Sequence, residues 1–439
     1  MSPDFNFTVM KSSIYNYIMY DETFSYWYNG LTHQYFLLPK TVGEKIEKLL
    51  HTSSSILQLP DSFREKLYSG GFIIDEDVNE LDVILNENVK AVNKKDYFLV
   101  ILPTLNCNFK CWYCIQDHIP SVMSEDTVVL VKNHIKYVVE NLGIETLHIE
   151  WFGGEPFLYF NKVIKPISEY AISVCQKAGI PFFNSATTNG YYLTDKTQSM
   201  LDTLNFKRFQ ITLDGNREFH DKVKYQKGCA SAFEHVLTNI NNILSVNKSI
   251  EIILRINYTH SNLTLDIVDQ VNTFINLSNR NHVIITPKKV WQETIDKGSY
   301  INRSELLNRF EQNGYRVSWL DAITNFIPCY ASKKYYCAIN YNGTTVKCTA
   351  CNDLYDKQAK GHILKSGQVK WEDNFEQKYS QPSFMNEKCL RCKYLPICLG
   401  VCPRDFVKGI SYCKIENQDS EIEQSLINYI KHSYNQNNP

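Results

Sequence analysis

The sequence predicts an α/β protein built around a parallel sheet, with a small α+β module before it and a loop-rich, cysteine-rich region after it. Three observations carry this prediction. Residues from about 95 to 291 switch repeatedly between apolar periods of 2 and 3.6. The 14 cysteines are unevenly spread, none before residue 107 and nine between 329 and 413. A length of 439 residues exceeds one ordinary domain. The boundaries read from these shifts are 1–92, 93–309 and 310–439.

In the first region, Ser13–Tyr20, Thr23–Tyr28 and Gln34–Leu38 read as short aromatic strands, with Asp21-Glu22 and Asn29-Gly30 as turns. Thr41–Leu50 and Pro60–Tyr68 read as helices, the second ended by Gly70-Gly71. The acidic stretch Asp75–Asn88 reads as a linker.

The middle region gives strands at Tyr97–Leu105, Thr146–Phe152, Phe182–Thr188, Arg208–Asp214, Glu251–Asn257 and His282–Ile285. Helical patterns follow five of them, at Ser124–Asn141, Phe160–Ala178, Thr194–Leu204, Ala230–Leu244 and Leu263–Leu277. Strands alternating with helices imply a parallel sheet with right-handed crossovers, and periodicity alone leaves open whether it closes into a barrel. In either form chemistry belongs at the C-terminal ends of the strands. Beyond residue 310 regular patterns thin to a hairpin at Tyr335–Lys347 around Asn342-Gly343 and a helix at Ser420–His432.

Composition narrows the function class. Hydrophobic residues at 44% and charged residues at 21% fit a folded globular chain and exclude disorder, collagen and coiled coil. Lys plus Arg is 46 against 47 for Asp plus Glu, so no whole-molecule field attracts nucleic acid or an anionic membrane. Neither is expected as a partner. Apolar runs such as Tyr97–Leu102 are too short to span a bilayer. The opening Met1-Ser2-Pro3-Asp4 lacks a basic stretch leading into an apolar one, so a signal peptide is not expected and a cytoplasmic location is. In a reducing compartment clustered cysteines bind metal or carry out redox chemistry.

The first cluster, Cys107-x3-Cys111-x2-Cys114, directly follows the first strand. A cubane iron–sulfur cluster takes four thiolates, so three in one loop leave one iron open, as a catalytic centre requires. The spacing also admits a three-cysteine zinc loop completed by a remote side chain such as His118. With the aromatic Tyr113 before its last cysteine, the motif resembles the signature of the radical SAM superfamily. That resemblance implies a [4Fe–4S] cluster on Cys107, Cys111 and Cys114. It further implies bound S-adenosylmethionine, cleaved reductively to a 5′-deoxyadenosyl radical, and a partial (β/α)6, TIM-like barrel.

Further motifs fall at successive strand ends. Gly153-Gly154-Glu155-Pro156 resembles the family's GGEP motif, whose backbone and Glu hold the substrate's ammonium group. Thr188 and Asn189 at the third strand, Asp214 at the fourth and Arg255 in the fifth resemble positions near the ribose and carboxylate of S-adenosylmethionine. Taken singly, each also reads as a turn, a helix cap or a satisfied barrel arginine; their order gives them weight. With Tyr113 they form the expected cofactor-binding set.

In the last region, Cys389-x2-Cys392-x5-Cys398-x3-Cys402 and then Cys413, preceded by Gly343-x4-Cys348, resemble the SPASM extension of many radical SAM enzymes. Carried over in order, Cys329, Cys337, Cys348 and Cys402 hold one auxiliary [4Fe–4S] cluster, and Cys389, Cys392, Cys398 and Cys413 a second. The close spacing of Cys337 to Gly343 departs from the family pattern, and Cys351 competes as a ligand of the first cluster. Structural zinc is the competing reading of the paired cysteines. Cys175, in a helical pattern, and Cys229, after a glycine, read as ordinary residues.

The resemblance as a whole implies a loop-rich C-terminal iron–sulfur SPASM domain and a maturase that oxidises, by cross-linking or a related change, a ribosomally made precursor peptide. An external one-electron donor such as flavodoxin or ferredoxin would supply it. Enzymes of that type often carry an N-terminal module resembling a winged helix that binds the peptide's leader by strand addition. Residues 13–70 could serve so, or could cap the barrel. An anaerobic sulfatase maturase forming formylglycine is the nearest chemical alternative. It expects an Asp after the hairpin cysteine, where this chain has Thr349, with Asp353 displaced. Dehydrogenation of a small alcohol is a further possibility, and a non-catalytic metal- or peptide-binding relative is the alternative of another class.

Overall fold

The computed structural model describes residues 9–293, 303–320, 328–350, 354, 359–416 and 419–437. They divide into two compact units: residues 94–318 with 330–380, and residues 1–93 with 319–329 and 381–439. Residues 310–439 contribute to both units.

The larger unit is a mixed α/β body around a parallel-rich sheet. Six parallel strands, Asp96–Ile101, Thr146–Trp151, Phe182–Thr188, Phe206–Leu213, Glu251–Tyr258 and Val283–Lys289, pair in sequential order. Strict succession of parallel strands makes the sheet curl as a partial barrel. The sheet continues past the first strand. Tyr336–Ile339 pairs parallel to Asp96–Ile101, and Thr344–Val346, Gly361–Ile363 and Val369–Trp371 follow antiparallel. The expected hairpin around Asn342-Gly343 is the start of this extension, with Gly343 at φ 85°.

Helices cover the outer face. Ser124 caps Glu125–Asn141 by accepting from the Thr127 amide. His134 on this helix fastens it twice: Nε2 meets the Tyr97 hydroxyl at 2.8 Å and Nδ1 meets the Gly367 carbonyl at 2.7 Å. The helix expected over Phe160–Ala178 is α-helical only from Lys165. Phe160–Ile164 is a π turn, wider because Pro166 lacks an amide and its ring crowds the turn before it.

The barrel's inner face is polar near its second and third strands. Glu150 accepts from Thr187 Oγ1 at 2.8 Å and from the Ser185 hydroxyl, which also meets His148 Nε2. Burial raises the Glu150 pKa against these two hydroxyls.

In the smaller unit, Asn16–Tyr20, Phe24–Asn29 and Tyr35–Pro39 form an antiparallel meander, close to the expected strands. One face packs Trp27, Phe36 and Leu38 onto Ile46, Leu50, Leu59 and Leu67 of the helical segments that follow. The other packs Tyr17, Met19, Tyr26 and Tyr28 onto Ile422, Leu426 and Ile430 of the last helix, Asp419–Asn437. Asp75–Asn88 is not a linker: a strand, Ile73–Asp75, pairs with Met10–Ser12, and Glu80–Asn93 is a helix. Asp82 and Glu87 of the helix face outward, while Ile84 and Val92 are buried with Leu81 and Leu85 beside them. Glu80 is buried at its start, accepting from Ser13 Oγ at 2.5 Å and the Ile14 amide at 3.0 Å. No helix among the described residues is long and apolar enough to cross a membrane.

Candidate active site

The loop carrying the first three cysteines is fixed from both sides. Thr104 donates to the Ser121 carbonyl at 2.6 Å and accepts from the Asn106 amide at 2.8 Å, while the Leu105 amide donates to Ser121 Oγ. The Gly154 and Glu155 amides donate to Thr104 and Asn106 carbonyls at 3.1 and 2.9 Å. The two glycines are required by this contact. A Cβ at Gly153 would lie 2.3 Å from the Thr104 carbonyl oxygen, and one at Gly154 2.1 Å from that of Asn106. Only residues without side chains let the two loops lie backbone to backbone.

Cys107, Cys111 and Cys114 line a cavity of about 370 Å³ at the C-terminal ends of the barrel strands. Gly153, Gly154, Thr188, Asn189, Arg255 and Tyr113 also line it, so the structure brings six of the nine expected cofactor residues together around the thiols. A space of this size falls in the usual range of small-molecule sites. Burial pushes the Cys107 thiol up to about 12, with Glu155 and the other two cysteines adding to it. Burial likewise raises Cys111, opposed by Lys224. Asn189 Nδ2 approaches Cys107 Sγ at 3.8 Å and donates to Asn108 Oδ1 at 2.8 Å. Arg255 donates through Nε to Asn257 Oδ1 at 2.8 Å. His118, the candidate zinc ligand, lines the same cavity.

Glu155, Pro156 and Asp214 lie behind this lining. Glu155 is fully buried and accepts from the Phe157 and Asn189 amides and from Thr188 Oγ1, all at 2.8–2.9 Å. Burial raises its pKa to about 7 despite those three donors. In this position it holds the Thr188–Asn189 turn in place. Asp214 accepts from the Tyr113 hydroxyl and pairs with Lys224, both partners of that ion pair being almost wholly buried. Lys224 Nζ also reaches the Tyr113 hydroxyl at 3.3 Å. Burial works against the lysine's charge, but Asp214, Tyr113 and Cys111 outweigh it and hold its pKa above the ordinary value. The Asp214 amide donates to His220 Nδ1 at 3.2 Å, and burial followed by Lys224 keeps that imidazole neutral. A second cavity of about 220 Å³ shares Tyr113 and Val290 with the first and is lined by Trp112, Asp214 and Glu293.

The later cysteines fall in both units. Cys389, Cys392, Cys398 and Cys413 all belong to the smaller one. Burial raises Cys392, with Cys389 and Cys413 adding, and burial raises Cys398, with Cys389 and Cys392 adding. Short helical turns, Glu387–Leu390 and Leu395–Cys398, set the spacing between them, and the Tyr394 amide donates to Cys392 Sγ at 3.4 Å. Cys337, on the strand beside Leu99, and Cys348 belong to the larger unit, whereas Cys329 and Cys402 belong to the smaller. Cys351 and Asp353 lie outside the described residues. Cys175 is buried in the helix Lys165–Ala178. Among the described residues no three His, Cys, Asp or Glu side chains close around a single metal ion.

The thiol triad thus lies beside a cavity, clamped by side-chain-free backbone at the ends of parallel strands. Residues 101–264 match the radical SAM superfamily. The GTP 3′,8-cyclase of Sulfurimonas denitrificans is 25% identical over 157 residues, 35% of this chain and 45% of that one. The cysteine-type anaerobic sulfatase-maturating enzyme of Clostridium novyi is 26% identical over 155 residues, 33% of this chain and 40% of that one. This chain thus spans less than half the length of these two relatives. The radical SAM cyclopropyl synthase TigE of Paramaledivibacter caminithermalis is 21% identical over 395 residues, 80% of this chain and 77% of that one. Among solved structures, anSMEcpe with bound AdoMet and Cp18Cys peptide shares the fold, with a TM-score of 0.53 at 16% identity. That match covers 78% of this chain and 97% of that one.

Sequence reasoning missed Lys224. It follows the short helix Arg217–Val223 with no motif around it, and lysine is ordinarily a surface residue. The one available signal was Asp214, a carboxylate at a strand end that needs a counter-charge if buried.

Proposed function

We propose that this chain is a radical SAM–SPASM maturase that oxidatively modifies, most simply by cross-linking, a ribosomally made precursor peptide in the reducing cytoplasm. The observation that carries the reading is the Cys107–Cys111–Cys114 triad lining a cavity of nucleoside size, its loop locked by Gly153 and Gly154. The three thiols and the glycine cradle fit a cubane cluster with one open iron. When bound, that cluster delivers one electron to S-adenosylmethionine and releases a 5′-deoxyadenosyl radical able to take hydrogen from an unactivated C–H bond. Gly153 and Gly154 offer backbone to the bound molecule, Asn189 braces the loop at Cys107, and Arg255 brings a cation into the cavity. Glu155 fixes the turn that carries Asn189. The Asp214–Lys224–Tyr113 group stiffens the wall beside Cys111.

Cys389, Cys392, Cys398 and Cys413, all in the smaller unit, are assigned to one auxiliary cluster. Cys329, Cys337, Cys348 and Cys402 are assigned to the other on sequence order. Such clusters would accept the second electron of a two-electron oxidation, and a flavodoxin or ferredoxin would provide the first. Peptide as substrate is supported by the Cp18Cys peptide bound to anSMEcpe and by the long match to TigE. The three-stranded meander has edge strands at Asn16–Tyr20 and Tyr35–Pro39 to which a leader can add. A sulfatase substrate is disfavoured at the position after Cys348, where Thr349 is buried near the Tyr330 hydroxyl at 3.2 Å.

The test is anaerobic reconstitution followed by reduction with S-adenosylmethionine present. Wild type should carry about twelve iron and twelve sulfide, four of each per cubane, and form 5′-deoxyadenosine. Replacing Cys107, Cys111 and Cys114 by Ala should end that formation and leave the remaining iron. Cleavage surviving the triple change would refute the reading. Mass spectrometry would then separate substrates: a cognate peptide encoded beside this chain should lose two hydrogens, whereas a sulfatase-derived peptide should not become formylglycine.

A further inference from the structure

Tyr15 carries a hydroxyl with no apparent task. The residue is 0% exposed, and its Oη has no hydrogen-bond partner among the described residues. A buried hydroxyl left in this state costs on the order of 1–3 kcal/mol, so it marks a missing acceptor. Its ring packs in an apolar cluster with Ile84, Phe384 and Leu395, against which Cys389 is also packed. The hydroxyl lies within electrostatic reach of Cys392 and Glu80. Both Glu80 oxygens are already engaged, by Ser13 Oγ and by the Ile14 amide. Of the other tyrosines within reach of Cys392, Tyr17 has spent its hydroxyl on the Lys393 carbonyl at 2.7 Å, and Tyr394 has Asp419 beside its hydroxyl. Tyr15 thus keeps a donor that remains to be placed, within reach of Cys392 and in the apolar cluster against which Cys389 packs.

We propose that Tyr15 donates its hydroxyl hydrogen bond to sulfur of an iron–sulfur cluster held by Cys389, Cys392, Cys398 and Cys413. This inference rests on the auxiliary-cluster reading above and adds a residue from the other end of the chain to it. Tyr15 acts as a positioning and tuning residue, not a ligand. A hydrogen bond to cluster sulfur favours the reduced, more negative state, so it raises the cluster's reduction potential. The N-terminal strand region and the C-terminal cysteine segment form one compact unit, which is what such a contact needs.

Tyr15→Phe keeps the ring and removes only the donor. Reconstituted wild type, Tyr15→Phe and Tyr28→Phe would be compared by iron content and by redox titration followed by electron paramagnetic resonance. Tyr28, whose hydroxyl meets His33 Nδ1, controls for loss of a buried hydroxyl elsewhere in the same unit. Tyr15→Phe should keep full iron while one cluster signal becomes about tenfold harder to reduce, about 59 mV for a one-electron couple. The other signals, and every signal in Tyr28→Phe, should stay in place. Full iron with all potentials unmoved in Tyr15→Phe would overturn the role of Tyr15 alone. Wild-type iron near four, unaffected by Cys389→Ala with Cys392→Ala, would overturn the cluster reading and this inference with it.

Discussion

Gly154→Ala is a one-carbon change whose effect is set by backbone geometry. The added Cβ would lie 2.1 Å from the Asn106 carbonyl oxygen and 2.5 Å from its carbon. Ordinary C···O contacts begin near about 3.3 Å, so the loops must separate by roughly 1 Å. No flexible side chain can absorb this, because both partners are main chain and Asn106 immediately precedes Cys107. A misplacement of about 1 Å costs on the order of 10²-fold in a positioned reaction. We therefore expect 5′-deoxyadenosine formation to fall about 100-fold in reconstituted Gly154→Ala, with far-ultraviolet circular dichroism unchanged. Gly143→Ala is the control: at φ 58° with nothing within 4 Å of the added carbon, it should cost about 1 kcal/mol of stability and no activity. Near-wild-type cleavage in Gly154→Ala would show that the glycine contact does not set the cysteine loop.

Three other changes probe the supports. Lys224→Met strands a buried carboxylate and should destabilise the larger unit by about 3–5 kcal/mol in denaturant unfolding, with Asp214→Asn in the same chain recovering most of it; equal stability of single and double variants would refute the pairing. Burial, opposed by the bond to the Gly367 carbonyl, lowers His134 from 6.5 to about 4. The unfolded chain therefore binds the extra proton first, and this group's stabilisation, complete above 6.5, is lost as pH falls toward 4, by about 3 kcal/mol in all. The stability difference between wild type and His134→Gln should shrink by that amount across the interval, and a constant difference would refute a neutral buried His134. Glu80→Ala removes the acceptor of Ser13 Oγ and the Ile14 amide and should lower the melting transition of the smaller unit, by about 2 kcal/mol, without changing iron content.

Most of the barrel was legible because its strands are short apolar runs separated by turn residues, and its cysteines and glycines fall where strands end. Phe182–Thr188 was placed to the residue. Local pattern could not show that Tyr336–Ile339 pairs with Asp96–Ile101, since that contact joins segments distant in sequence. Glu80–Asn93 is masked by its own charge: the helical spacing of Leu81, Ile84, Leu85 and Val92 is present, but an acidic stretch of this composition equally fits a linker. At the site, the thiols and glycines were readable because few other residues perform their tasks. Glu155 was read as facing a ligand, and its three internal donors became visible only once the Thr188–Asn189 turn was placed beside it. Lys224 depends on a buried charge pair that no sequence pattern announces.

The pairing of Tyr336–Ile339 with Asp96–Ile101 has a consequence for biogenesis. One long edge of the first barrel strand stays bare while residues 102–335 are being made, and the strand bearing the cysteine loop waits with it. The meander likewise leaves Tyr17, Tyr26 and Tyr28 uncovered until Ile422, Leu426 and Ile430 emerge. Nascent chains stalled before residue 336 should be cut by protease near Asp96–Ile101, and protection there would contradict this order. Folding of both units thus waits on late segments of the polypeptide, so the ribosome releases a chain whose cysteine loop reaches its final setting only afterwards.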